Sequence, residues 1–411
     1  MLWLLLPYVF IRLIWRARKQ PEYLHHICER FGFYTTRSDK PTIWLHAVSV
    51  GETRATQSLV TRLRSSFPNH QILLTHTTPT GRATGEQLYG DSVLRVYLPY
   101  DYPFAVNNFL HHFRPQLGIL METEIWFNLI HACHSIDTPL LLLNARMSEK
   151  SAGGYARFAR LTRNALRELT SIAAQTTNDA MRLTMLGAQD VSVMGNLKFD
   201  IEPPAAMLEL GKQLREQFGS TRKIFLAAST REGEEVLLLN ALNEMQMPGL
   251  LLVIVPRHPQ RFIAVANLIE QRNIVFQRRS ADRIVPADVQ VVLGDSMGEM
   301  FGYYASADVA FIGGSLLPFG GQNLIESCAV GTPVLVGPYT QNFTEATRLA
   351  VNAGAAVQVQ DARGLIKSVQ HLLNDPNALS EMRQQCDGFV KFNRGATNRS
   401  IQIITDILKV K

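Results

Sequence analysis

Three carboxylates and one lysine stand where apolar runs of this chain break into turns. Glu52 closes the segment His46-Ala47-Val48-Ser49-Val50-Gly51-Glu52, in which a strand end feeds the start of a helix. A carboxylate held there can take a proton from a hydroxyl if its pKa suits the task; it is also the kind of first-turn acid that a helix dipole favours. Met121-Glu122-Thr123-Glu124-Ile125-Trp126 puts two more carboxylates at another strand end, as site acids or as helix-start acids. Lys198, in Gly195-Asn196-Leu197-Lys198, can neutralise charge on a reacting acid or a departing phosphate, or stand in solvent as a loop lysine.

The later half of the chain carries cationic and glycine-rich turns. Arg231 in STREGEE and Arg257-His258 in VPRHP each follow an apolar run, where forked guanidinium donors can reach a phosphate or carboxylate or simply meet water. Met297-Gly298-Glu299 follows VVLGD, and Gly298 allows backbone to approach a base or ribose closely. From Phe311 to Glu345 the chain reads as a strand end, the pairs Gly313-Gly314 and Gly320-Gly321, a helix capped by Asn323 and running roughly to Val330, and a strand from Pro333 to Gly337. This stretch is expected to take a phosphate-bearing ligand at the helix start, with Glu326 on the face of Asn323 receiving a ribose diol; glycine-rich turns also occur in doubly wound sheets without a ligand. GxGxxG after a first strand, the Walker A sequence and DxD are absent, which argues against dinucleotide redox chemistry and a metal-bridged diphosphate, and no metal site is expected. His25-His26 and His111-His112 are adjacent pairs without ligand spacing and read as packing or surface residues.

Strand, turn and helix alternate along the whole chain, which predicts an α/β protein of two Rossmann-like domains facing a cleft, residues 21–202 and 203–411, with Glu202-Pro203-Pro204 as the linker. At 411 residues, 46% hydrophobic and 18% charged, there is material for two cores and no sign of disorder or a polytopic membrane protein. The net charge of +6 points to acidic partners, anionic lipid or nucleic acid. Cysteines 28, 133, 328 and 386 show neither metal nor disulfide spacing and read as reduced thiols. Met1 to Trp15 is nearly all apolar but, at ~1.5 Å per residue, too short to cross a ~30 Å hydrocarbon core squarely. Residues 1–20 are therefore expected to form a membrane-anchoring helix that embeds in or lies on the bilayer, with Arg16, Arg18 and Lys19 at the anionic cytoplasmic face; a helix docked on the protein is the alternative.

Taken together, LHAVSVGE, METEIW, GNLK, the Pro256-Arg257 pair, MGE, GGS, GGQN with Glu326, and PVLVGP resemble the 3-deoxy-D-manno-octulosonic acid (Kdo) transferases of lipopolysaccharide synthesis, over almost the whole chain. Gln322 where the family often has His, Ser327 where Pro follows the Glu, and Ala228 where Gly is usual are departures. The resemblance implies the GT-B glycosyltransferase architecture and an inverting transfer, with no metal or other cofactor. Kdo would pass from the donor CMP-Kdo to lipid A precursor (lipid IVA), an acylated, phosphorylated glucosamine disaccharide. It places the protein at the cytoplasmic face of the inner membrane, with a lipid surface and no nucleic acid as partner. It implies Glu52 as general base and Glu122 and Lys198 as stabilisers of the transition state. Pro256, Arg257, Met297, Gly298, Glu299, Asn323, Leu324, Ile325 and Glu326 would contact the cytidine nucleotide. A same-fold sugar-nucleotide epimerase and a non-catalytic lipid-binding protein are the alternatives.

Overall fold

Short apolar runs buried along their length need cover on both faces, and parallel sheets flanked by helices supply it. The computed structural model describes residues 6–18, 20–244 and 247–409. Among them the first sheet runs β3-β2-β1-β4-β5-β6-β7, all parallel, from β1 (Thr42–His46), β2 (Gln71–His76), β3 (Leu94–Tyr97), β4 (Leu117–Met121), β5 (Leu140–Ala145), β6 (Ser171–Ala174) and β7 (Val191–Val193). Every residue of β1 is buried, and the period of two divides them: Trp44 enters the core on one face, Ile43 and Leu45 the core on the other. Strand order reverses between β1 and β4, where Ile43 pairs with Leu117 and His46 with Leu120. In doubly wound sheets the carboxyl ends at such a reversal form the ligand crevice, so β1 and β4 aim the loops carrying Glu52 and Glu122 at one place.

The second sheet runs β10-β11-β9-β8-β12-β13-β14, again parallel, from β8 (Ile224–Thr230), β9 (Leu251–Pro256), β10 (Phe276–Arg278), β11 (Val291–Leu293), β12 (Val309–Ile312), β13 (Val334–Val336) and β14 (Ala356–Gln358). Here the reversal falls between β8 and β12, with Phe225 opposite Val309. Its core gathers Phe225, Ile254, Phe311, Leu335 and Val369 at 1% exposure or less.

The chain divides into residues 1–200 with 393–411, and residues 201–392. The C-terminal end thus differs from the expected second domain of 203–411. Helix Ala396–Lys409 carries Ala396, Thr397, Ser400 and Ile404 as a buried stripe, and Ala396 and Ile404 belong to the core of the first sheet. Asp200 fixes its start: one carboxylate oxygen accepts from Gly395 N–H at 2.6 Å and the other from Thr397 N–H.

The N-terminal helix spans Leu6–Ala17, with Leu13 and Ala17 buried and Ile11, Ile14 and Trp15 exposed. Among the described residues no helix is long and apolar enough to cross a membrane. The part of the anchor expectation that falls on residues 1–5 and 19 lies outside the described residues.

Because Ile404 is fully buried in the first unit's core, Ile404→Ala should lower that unit's stability by about 2–5 kcal/mol. Denaturant unfolding should show an earlier transition for the first unit with the second unit's transition in place; simultaneous loss of both would show that the helix serves the whole chain.

Candidate active site

At the end of β1, Ser49 caps helix Val50–Ala55 by accepting from Glu52 N–H at 3.3 Å. Glu52 turns back in the manner of a capping box, its Oε1 accepting from Ser49 Oγ at 2.9 Å and its Oε2 from Val48 N–H at 2.8 Å. Those bonds favour the charged form. Burial outweighs them, and the nearby carboxylates of Glu122 and Glu124 add to it, so the Glu52 pKa is pushed up to about 7.

Glu122 follows β4 with φ at +57°, in the left-handed region that a non-glycine residue occupies at a cost. Its backbone is locked there: Glu122 N–H donates to Leu143 O and Arg146 N–H to Glu122 O, each at 3.2 Å. Lys198 Nζ comes to 3.4 Å from Glu122 Oε1. The lysine's turn, Leu197–Phe199, hangs on a relay of amides. Asn144 Oδ1 accepts from Leu197 N–H at 3.1 Å, Gln175 Nε2 donates to Asn144 O and Asn196 Nδ2 to Gln175 Oε1, both at 3.0 Å. Glu52, Glu122 and Lys198, separated in sequence, therefore belong to one constellation.

Two more side chains stand beside this constellation: Glu124, which the sequence left open between site acid and helix-start acid, and His46, which it did not single out. Glu124 accepts from Trp126 Nε1 at 2.6 Å, and burial, with Glu122 adding, raises its pKa. His46, fully buried at the end of β1, bonds Thr75 through Nδ1 and points Nε2 toward Glu124 Oε2 at 3.9 Å. Burial, with His76 adding, pushes its pKa down to about 3, which keeps the ring neutral. The spacing Ser49-x-x-Glu52 was the available signal for the cap. His46 reads in sequence as one more residue of an apolar strand.

In the second unit the candidate residues line the carboxyl ends of adjacent strands. β11 leads to Met297–Glu299, β9 ends at Pro256 before Arg257, β8 precedes Arg231, and β12 opens into Gly313-Gly314. Arg257 N–H donates to Thr230 O at 3.0 Å. The Arg231 guanidinium lies 4.8 Å from the Phe319 ring centroid and bonds His258 Nε2 at 2.9 Å. Met297 is exposed, Gly298 has φ +82°, and Glu299 accepts from Ser296 Oγ at 2.7 Å. The cap position of the helix is Leu324 rather than the expected Asn323, which stands one residue earlier, accepts from Ile325 N–H at 3.1 Å and donates through Nδ2 to Glu326 Oε1 at 3.1 Å. Arg257 and Glu326 both act electrostatically on the buried Tyr304, whose hydroxyl is held far above its ordinary pKa by burial first and Glu326 next.

The glycine-rich turn differs from expectation in two respects. The helix after Asn323 is only Ile325–Cys328, too short for much of a dipole, and Leu324 and Ile325 are fully buried, leaving only their backbone for a ligand. Furthermore, amides of the turn already hold an anion. Glu234, itself buried, accepts from Gly314 N–H at 2.6 Å, Leu316 N–H at 3.0 Å and Arg231 N–H at 2.8 Å. Gly313 is required because a Cβ there would stand 2.5 Å from Ser229 O. A phosphate must therefore look to the arginines and to backbone beyond this turn.

Among the described residues no group of three His, Cys, Asp or Glu side chains is placed to hold a metal ion. The family described as "3-Deoxy-D-manno-octulosonic-acid transferase (kdotransferase)" matches residues 25–201, and "Glycosyl transferases group 1" matches 221–388. A 3-deoxy-D-manno-octulosonic acid transferase of Bordetella pertussis is 41% identical, over 92% of this chain and 91% of its own. Its counterpart in Haemophilus influenzae is 36% identical, over 95% and 93% respectively. A glycosyltransferase from Rickettsia africae, 15% identical, shares the fold with a TM-score of 0.60 over 91% of this chain and 100% of its own.

With its pKa raised, Glu52 holds in the folded chain a proton that the unfolded chain releases. Its contribution to stability is complete below the ordinary value of 4.5 and is lost as pH rises through about 7. Glu52→Gln should therefore flatten the pH dependence of the unfolding midpoint across that window. A profile as steep as that of the unsubstituted protein would assign the dependence to other groups.

Proposed function

The chain belongs to the Kdo transferases, and from that premise we propose that it moves Kdo from CMP-Kdo to the lipid A precursor (lipid IVA) with inversion, Glu52 acting as general base. The observation that carries this reading is the desolvated Glu52 carboxyl, tuned to about 7 beside the Glu122–Lys198 ion pair at the strand-order reversal of the first sheet.

In the proposed step Glu52 takes the proton of an acceptor hydroxyl while the hydroxyl oxygen bonds to the ketosidic carbon of Kdo. The bond from that carbon to the phosphate oxygen breaks, its electron pair leaving on CMP. Glu122 faces the positive charge that develops on the sugar, and Lys198 offers its ammonium to the Kdo carboxylate. Arg257 neutralises the departing phosphate, while Met297–Glu299 and Asn323–Glu326 hold cytosine and ribose. Arg231, which the sequence offered beside Arg257 as a phosphate ligand, joins them because it shares the strand-end rim and holds His258. Charge neutralisation rests on these cations, which makes the proposed transfer independent of metal and of any cofactor beyond the donor.

The exposed Ile11, Ile14 and Trp15, interleaved with Arg12, Arg16 and Arg18, support attachment of the N-terminal helix to the cytoplasmic face of the inner membrane, where the lipid acceptor resides.

Glu52→Gln should keep CMP-Kdo binding and lose transfer by ~10²-fold or more, as removal of a general base requires. The unsubstituted protein's rate should climb with pH to a plateau above about 7. Near-normal turnover in the variant would remove the base assignment. EDTA should leave the rate intact, whereas loss on chelation with recovery in magnesium would reveal a metal requirement.

A further inference from the structure

One helical face of the first unit is both strongly basic and apolar. Helix Ala159–Glu168 buries Thr162, Ala165 and Leu166, a spacing of three and four, and so turns Arg160, Asn164 and Arg167 outward. Arg157, Leu161 and Arg163 flank that stripe, exposed as well. Phe158, at the helix start, is 67% exposed. On helix Thr177–Met185, Met181 and Met185 are 54% and 80% exposed. The two helices share this surface: the stem of Arg163 lies over Gly187, where an added Cβ would stand 2.7 Å from Arg163 Cγ.

Charge on this face is one-sided. Its acidic neighbours Glu149 and Glu168 are engaged by Arg182 at 3.1 Å and His131 at 3.2 Å, whereas Arg157, Arg160, Arg163 and Arg167 form no ion pair among the described residues. Unpaired arginines interleaved with exposed Phe, Leu and Met match a bilayer interface: guanidinium groups meet lipid phosphates while the apolar side chains enter the headgroup boundary. The face also borders the site loop, since Tyr155 Oη donates to Thr123 O at 3.4 Å, between Glu122 and Glu124.

We propose that the face centred on helix Ala159–Glu168 is a second membrane-contacting surface, independent of residues 1–20, that binds anionic phospholipid. Two contacts would fix the rotation of the first unit on the bilayer, which a single N-terminal helix leaves free. Vesicle binding is read without turnover, so this surface stands or falls separately from the proposed transfer.

The test uses the full chain with vesicles of phosphatidylcholine, with and without phosphatidylglycerol. R160E/R167E and F158S/L161S alter the face, and R363E/K367E makes a matching charge change at exposed positions of a helix of the second unit. Partitioning onto the anionic vesicles should fall about tenfold or more for the first pair, fall clearly for the second, and change less than about twofold for the control. Hydrogen exchange of the unsubstituted protein should slow across residues 157–168 when anionic vesicles are added, a readout that survives if a variant fails to fold. Equal losses in the control pair would overturn the proposal. So would exchange that slows only in the N-terminal helix, which would leave the face to a protein partner.

Discussion

The first unit depends on how much water reaches three carboxylates. Glu52, Glu122 and Glu124 stand at the carboxyl ends of two neighbouring buried strands; burial disfavours charge on Glu52 and Glu124, and the Glu122 carboxylate adds to both. Lys198 pairs with Glu122. The cost of burial falls on Glu52 and Glu124, whose pKa values rise. A carboxyl that titrates near neutrality has enough basicity to accept a hydroxyl proton and loses its own readily, which a surface glutamate does not offer. Much of the local architecture maintains this arrangement: the Ser49 cap, the left-handed backbone at Glu122, the amide relay under Lys198, and the neutral His46 beneath Glu124.

The second unit solves a different problem, that of holding a tight glycine-rich turn rigid without a ligand. Glu234 supplies the negative charge that the converging amides of Gly314, Leu316 and Arg231 require, and it does so from inside the core. Neighbouring Glu235 is paired with Arg261 at 3.0 Å and Thr230 at 3.0 Å, so the helix start following β8 is fixed by two buried acids. The turn is consequently a scaffold for its surroundings, and the groups proposed to meet a nucleotide stand around it: Arg231, Arg257, the backbone at Gly298 and the Asn323–Glu326 pair.

Local pattern made much of this legible. Strand, turn and helix alternate plainly in the sequence, and Glu52, Glu122 and Lys198 were each visible at a strand end. Partnership was less visible, because it depends on strand order. The Glu122–Lys198 contact requires β4, β5, β6 and β7 to lie side by side, and no local spacing encodes that. The return of the C-terminal helix to the first unit was hidden for the same reason: an amphipathic stripe states that a face is buried and does not state against what. The hold of Glu234 on the amides of Gly314 and Leu316 was hidden because the signature of a glycine-rich turn is the same whether the anion there is a ligand or an internal carboxylate. Leu324 and Ile325 entered the site by resemblance, while their apolar side chains belong to the core.

The central claim, that these strand-end groups transfer Kdo to a lipid acceptor, is tested most directly by mass spectrometry of the products from purified protein, CMP-Kdo and lipid A precursor. The account predicts a precursor heavier by one or more whole Kdo residues, with CMP released in equal number. Release of CMP with free Kdo and an unaltered precursor, or no release at all, would contradict it.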